Sequence, residues 1–196
     1  MNPVSIIRSI ASTCLLALAV PAAAQQDVVN PPDPWVHAAT GARFPAVVGP
    51  FQRGRVTEFS QDGHDAAIGY SMVRGGDQAT VTLYVYPAID GLDCAATYED
   101  AKASIARYDG AEVVSQSLER APGGEGAPVA HHARYFVPAG SMAAQLPAVR
   151  SDLYLYCPPG DRWLVKYRAT WAAEADFAND VETLLHSIEW PDSLGG

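Results

Sequence analysis

The residues of this chain whose pattern best suits chemistry are tyrosines and cations that alternate along extended segments. Tyr84 and Tyr86 share one face of the segment Ala79 to Tyr86, with Val81, Leu83 and Val85 on the other. Tyr154 and Tyr156 repeat the alternation against Leu153 and Leu155, and Lys166 and Arg168 alternate with Trp163, Val165 and Tyr167. A tyrosine is apolar in its body and polar at its tip. A sheet face carrying Tyr84, Tyr86, Tyr154, Tyr156, Lys166 and Arg168 would therefore suit a groove for a partly anionic or aromatic ligand. These six are the candidate binding positions. The competing reading is that the rings pack under a helix as ordinary core.

Catalytic patterns are weaker. Gly69-Tyr70-Ser71-Met72-Val73 approaches the nucleophile elbow G-x-S-x-G, but the last glycine is absent and the segment reads as mid-strand. A triad would also need a placed histidine and acid. His131 and His132 are adjacent, so on a strand they point to opposite faces and do not chelate one ion. His64 with Asp62 and Asp65 reads as a solvated hairpin tip, because tight turns call for such acids and for Gly63. Gly123-Gly124-Glu125-Gly126 has no following helix to complete a phosphate site. The sequence thus points to no catalytic motif, no metal site and no cofactor. The expected function is a non-catalytic binding or accessory role. The alternative is a hydrolase assembled from scattered Ser, His and Asp residues.

The N-terminus reads as an address. Residues 1–24 hold one charge, Arg8, then an apolar stretch from Ile10 to Val20 and the small residues Pro21-Ala22-Ala23-Ala24. That is the form of a secretory signal peptide, shorter than the roughly 20 apolar residues of a membrane anchor. Cys14 follows Thr13 inside the apolar stretch, a poor fit to a lipidation site. The expected location is periplasmic or secreted, with no integral membrane span after cleavage. In an oxidising compartment Cys94 and Cys157 are most simply a disulfide. A redox pair or a zinc site is the competing reading, but the chain has no C-x-x-C and no matching histidine spacing.

Composition narrows the partner. The 196 residues carry a formal net charge of −9, and removing the signal removes Arg8 alone, taking it to −10. Such a balance speaks against nucleic acid and anionic lipid, which need a concentrated basic face. It leaves an unidentified protein or small molecule of the cell envelope.

These residues must be positioned by one domain over residues 35–196, preceded by a proline-bearing leader at residues 25–34. Pro31, Pro32 and Pro34 argue against helix or sheet pairing in that leader. Strands are expected at 49–59, 66–73 and 79–86, joined by turns at Gln61 to Asp65 and Arg74 to Asp77. A helix follows from Asp93 to Tyr108, with Asp93 as cap and Gly110 as terminator. Strands resume at 111–118, 129–137, 149–157 and 162–170, with a mobile loop at 121–128 and a hairpin turn at 157–161. A last helix spans 174–188, with Phe177, Val181, Leu184, Leu185 and Ile188 as its apolar stripe. The fold class is α+β: a mainly antiparallel sheet of about six to eight strands with two packed helices.

The Gly41-x-x-Phe44-Pro45 opening, the strand meander, the helix after it, the further strands and the C-terminal helix ending in Ser187-Ile188-Glu189-Trp190 resemble the PsbP/Mog1-like α/β/α sandwich group. That resemblance rests on element order across most of the chain. It implies an accessory or binding role, and it transfers no functional residue.

Overall fold

The computed structural model describes residues 25–88, 90, 92–120, 129–158, 162–191 and 194. Their main feature is a nine-stranded antiparallel sheet flanked by two helices. The first strands are short: β1 (Gln26–Asp27), β2 (Trp35–Val36), β3 (Arg43–Phe44) and β4 (Val47–Val48). The long ones are β5 (Phe51–Glu58), β6 (Ala66–Arg74), β7 (Asp77–Pro87), β8 (Glu112–Arg120), β9 (Val129–Val137), β10 (Val149–Tyr156) and β11 (Trp163–Ala172). Helix α1 (Cys94–Ala106) falls between β7 and β8, and α2 (Ala178–Ser187) follows β11. The sheet order is β1-β5-β6-β7-β11-β10-β9-β8, with β4 also on β5 and β2–β3 a separate ribbon.

Two hairpin meanders, β5-β6-β7 and β8-β9-β10-β11, are thus joined by the central β7–β11 pair. The tight turn between β6 and β7 depends on Gly75 and Gly76, both at positive φ (64° and 94°), a region most side chains avoid.

Alternation along the strands divides the core in two. One cluster holds Val81, Leu83, Val85, Val165, Tyr167, Trp171 and Tyr156 under Val181, Leu184 and Leu185 of α2. The other holds Ala133, Tyr135, Val137, Leu153 and Leu155 under Tyr98 and Ile105 of α1. The helices therefore cover opposite faces of the sheet.

The C-terminal stripe is buried as its periodicity predicts, from Phe177 to Ile188. The helix is shorter than its stripe: Phe177 and Ile188 flank it with non-helical backbone. Asp93 caps α1 by accepting from the Ala96 amide at 2.8 Å. Cys94 and Cys157 are bonded, with Cα atoms 6.0 Å apart, tying the first turn of α1 to the end of β10. The leader departs from expectation. Its prolines stay out of the sheet, but Gln26 and Asp27, which precede them, pair with β5. Arg53 then donates to the carbonyls of Pro31, Pro32 and Phe44, pinning the segment to the domain. Ser71 lies within β6, paired with Thr80 and Gln52, and not on a sharp turn. The segments read as a signal (1–24), as a mobile loop (121–128) and, in large part, as a hairpin turn (159–161) lie outside the described residues.

Candidate functional site

The register of β7 against β11 sets Lys166 opposite Tyr84, Leu164 opposite Tyr86 and Arg168 opposite Thr82. Directly opposed residues share a face, so both cations and both tyrosines lie on the α1 side. Helix α1 packs its apolar residues on β9 and β10. It leaves the β7–β11 half of the face as an open groove of about 410 Å³. Tyr84, Tyr86 and Lys166 line it from the sheet, Asp100 and Ser104 from the helix, and Asp65 from the turn just before β6.

Within it the Lys166 Nζ sits 4.3 Å from the Tyr84 ring centroid and 5.6 Å from that of Tyr86. Rings attract a cation through their negative faces, but without neutralising it. Among the described residues no carboxylate lies within 4.0 Å of that amine. Burial lowers the Lys166 pKa and the Arg168 charge lowers it further, against an opposing pull from Asp65. Burial raises the Asp65 carboxyl in turn. The Tyr86 hydroxyl is pushed up to about 12, chiefly by desolvation.

Arg168 lies one step further along the same face. Its Nε donates to Ser151 Oγ at 3.3 Å, and its guanidinium carbon stands 5.6 Å from the Tyr108 ring centroid. Its Nη2 is buried with no acceptor among the described residues. A buried charged donor without a partner is uncommon, because the lost hydration is not repaid.

The α2 side carries a different constellation. Asp152, 1% exposed, accepts from Arg134 Nε and Nη2 (3.0 and 2.7 Å to its two oxygens) and faces His132 Nε2 at 3.3 Å. His132 stacks on Tyr154 with ring centroids 4.0 Å apart. Its Nδ1 is 3.4 Å from Ser117 Oγ, which donates to Glu119 at 2.7 Å. Ser117, Glu119, His132, Arg134 and Tyr154, with Glu182 and His186 of α2, line a cleft of about 270 Å³, and Asp152 lies buried behind them. Burial pushes the Asp152 carboxyl up, but the hydrogen bonds and charges of His132 and Arg134 outweigh it and the net shift is downward.

The six candidate positions are therefore divided. Tyr84, Tyr86, Lys166 and Arg168 are brought together; Tyr154 and Tyr156 are not with them. Tyr154 opposes Tyr167, while Leu153 and Leu155 oppose Arg168 and Lys166, so the β10 tyrosines project from the α2 face. The expectation of one four-tyrosine platform is corrected accordingly. Tyr156 is core, its hydroxyl donating to the Leu194 carbonyl at 2.9 Å. His131 and His132 do take opposite faces, His131 stacking on Tyr98. His64 lies at the hairpin tip, 3.1 Å from Asp62 and against Trp163. Sequence reasoning missed the Asp152–Arg134–His132 cluster. Its signal was the one acid of β10, Asp152, and two polar residues, His132 and Arg134, at alternate positions of β9.

No family model, no curated protein and no solved structure matches this chain. Among the described residues no helix is long and apolar enough to cross a membrane.

Proposed function

We propose that this chain is an exported, non-catalytic binding or accessory protein of the bacterial cell envelope, and that its α1-side groove holds a small, partly anionic aromatic ligand. One observation carries the reading: Lys166 presents an ammonium with no contacting carboxylate among the described residues, beside two tyrosine rings in an open groove, and the Arg168 charge adds to it from the same strand. Charges withdrawn from water are ordinarily paired within the protein. An anion from outside would supply the missing acceptor, and the rings would stack on its aromatic part. The signal-like N-terminus and the disulfide suit an oxidising, extracytoplasmic location. Membership of the PsbP/Mog1-like accessory group belongs to the same proposal.

The test is titration of the ¹⁵N-labelled protein with p-toluate. Shifts centred on Tyr84, Tyr86 and Lys166, weakened at least about tenfold in Lys166→Gln, are expected, since the loss of a desolvated charge contact is worth more than 1.4 kcal/mol. Uniform or absent shifts at millimolar ligand would overturn the reading.

The Ser117–His132–Asp152 chain favours a second reading, the hydrolase. Two features oppose it. Ser117 donates to Glu119 more closely than it approaches His132. Asp152 is already held by Arg134. Labelling of Ser117 by a fluorophosphonate, abolished in Ser117→Ala, would establish this alternative; an unlabelled protein would retire it.

A further inference from the structure

Lys166 differs chemically from the chain's other lysine, Lys102. The Lys102 ammonium is 2.8 Å from the Glu99 carboxylate and donates to Gln116 at the same distance. Among the described residues Lys166 has no such partner. It faces Tyr84 and Tyr86 on β7, Arg168 on its own strand, Asp65 just before β6 and Asp100 on α1. A lysine that is desolvated, or set beside another cation, gives up its proton more readily and becomes a nucleophile. Lys166 meets both conditions, and its pKa is lowered for those two reasons. Unlike a core lysine, it also lines an open groove that a ligand can enter.

We propose that Lys166 is a reactive amine which captures an aromatic aldehyde or ketone bearing a carboxylate, forming a reversible imine in the α1-side groove. This rests on the reading of that groove as the ligand site and adds the covalent step. The unprotonated Nζ attacks the carbonyl carbon, a C–N bond forms, and a proton moves from nitrogen to oxygen to give a carbinolamine. The C–O bond then breaks, water leaves with the hydroxyl and a second proton, and C=N remains. The condensation releases one water and needs no oxidant or reductant. Asp65 is the acid on this wall whose charge reaches Lys166, which suits it to pass a proton to the departing hydroxyl. Arg168, two residues along the same strand, adds positive charge that favours the carboxylate.

The experiment treats the folded, disulfide-bonded protein with 4-formylbenzoate and cyanoborohydride, which reduces an imine to a stable amine. Peptide mapping then gives the Lys166-to-Lys102 labelling ratio. A ratio of at least about ten is expected in the folded protein, falling to about one in urea with the disulfide reduced, where neither environment survives. The preference for 4-formylbenzoate over 4-methylbenzaldehyde should shrink in Arg168→Gln, and Lys166→Arg should lose the adduct while keeping the charge. A folded ratio near one overturns the covalent step. Binding of p-toluate, which cannot condense, separates the two readings: if it binds while Lys166 is not trapped, the groove stands and the imine falls; if neither occurs, both fall.

Discussion

The two faces of the central sheet handle charge in opposite ways. On the α2 side, Asp152, Arg134 and His132 lie on neighbouring strands and satisfy one another. On the α1 side, Lys166 and Arg168 lie two residues apart on one strand, repel one another, and meet rings instead of carboxylates. A buried charge that is answered within the protein is part of its framework. One that is left unanswered raises the energy of the empty protein, and a ligand can lower it. The contrast separates a constellation that looks catalytic from a plainer groove that is better built to receive something.

The largest effect that could break this comparison is expected at the framework side. Asp152→Ala leaves Arg134 and His132 without their acceptor and should cost about 3–5 kcal/mol in urea unfolding, the range for half-broken buried pairs. An unchanged midpoint would show that the α2-side cluster is not structural. Leu184→Ala removes apolar volume from the helix covering that side and should cost about 2–5 kcal/mol, with the cleft loosened as well.

Titration sharpens the contrast. The Asp152 carboxyl is depressed in the folded state, so its contribution is fully present above the unfolded value near 3.9 and is lost as pH falls through the folded value. Acid unfolding of Asp152→Asn should lack that component. Lys166 is also depressed, but for a cation the charged form is the disfavoured one. Its penalty is fully present below the folded pKa and is relieved as pH rises toward the ordinary value near 10.4. Relative to Lys166→Met, the wild-type protein should gain stability on the alkaline side, as followed by urea midpoints against pH. The smallest expected effect is that of Lys166→Met itself at neutral pH. It should be neutral or stabilising by about 1 kcal/mol while p-toluate binding is lost, because function and stability compete at such a residue. A clear destabilisation would place Lys166 in the framework after all.

Much of this architecture could be read from residue order. The strand around Ala79 to Tyr86 alternates strictly, Asp93 caps the helix it precedes, and the stripe from Phe177 to Ile188 is buried. The leader pairs where its prolines do not act: they exclude pairing at their own positions, and Gln26–Asp27 lie upstream of them. The Asp152 cluster escaped notice because its members come from separate strands, β9 and β10, with Ser117 on a third. A lone acid in a strand does not announce the guanidinium on the next strand that will neutralise it.

The sequence by itself determined which side chains in each strand share a face, since the period of two is a local property of extended backbone. It also determined the two helices and the cysteine pair available for the disulfide. Only the tertiary structure decided which face of one strand joins which face of the next. Tyr154 stands opposite Tyr167, and Leu155 opposite Lys166, because β10 and β11 meet in that register; a slip of one residue would reverse every partnership across the pair. The six candidate positions were chosen by alternation, a one-strand property. The split that put four of them on the α1 side and two on the other came from hydrogen-bonded register between strands, which no single strand encodes.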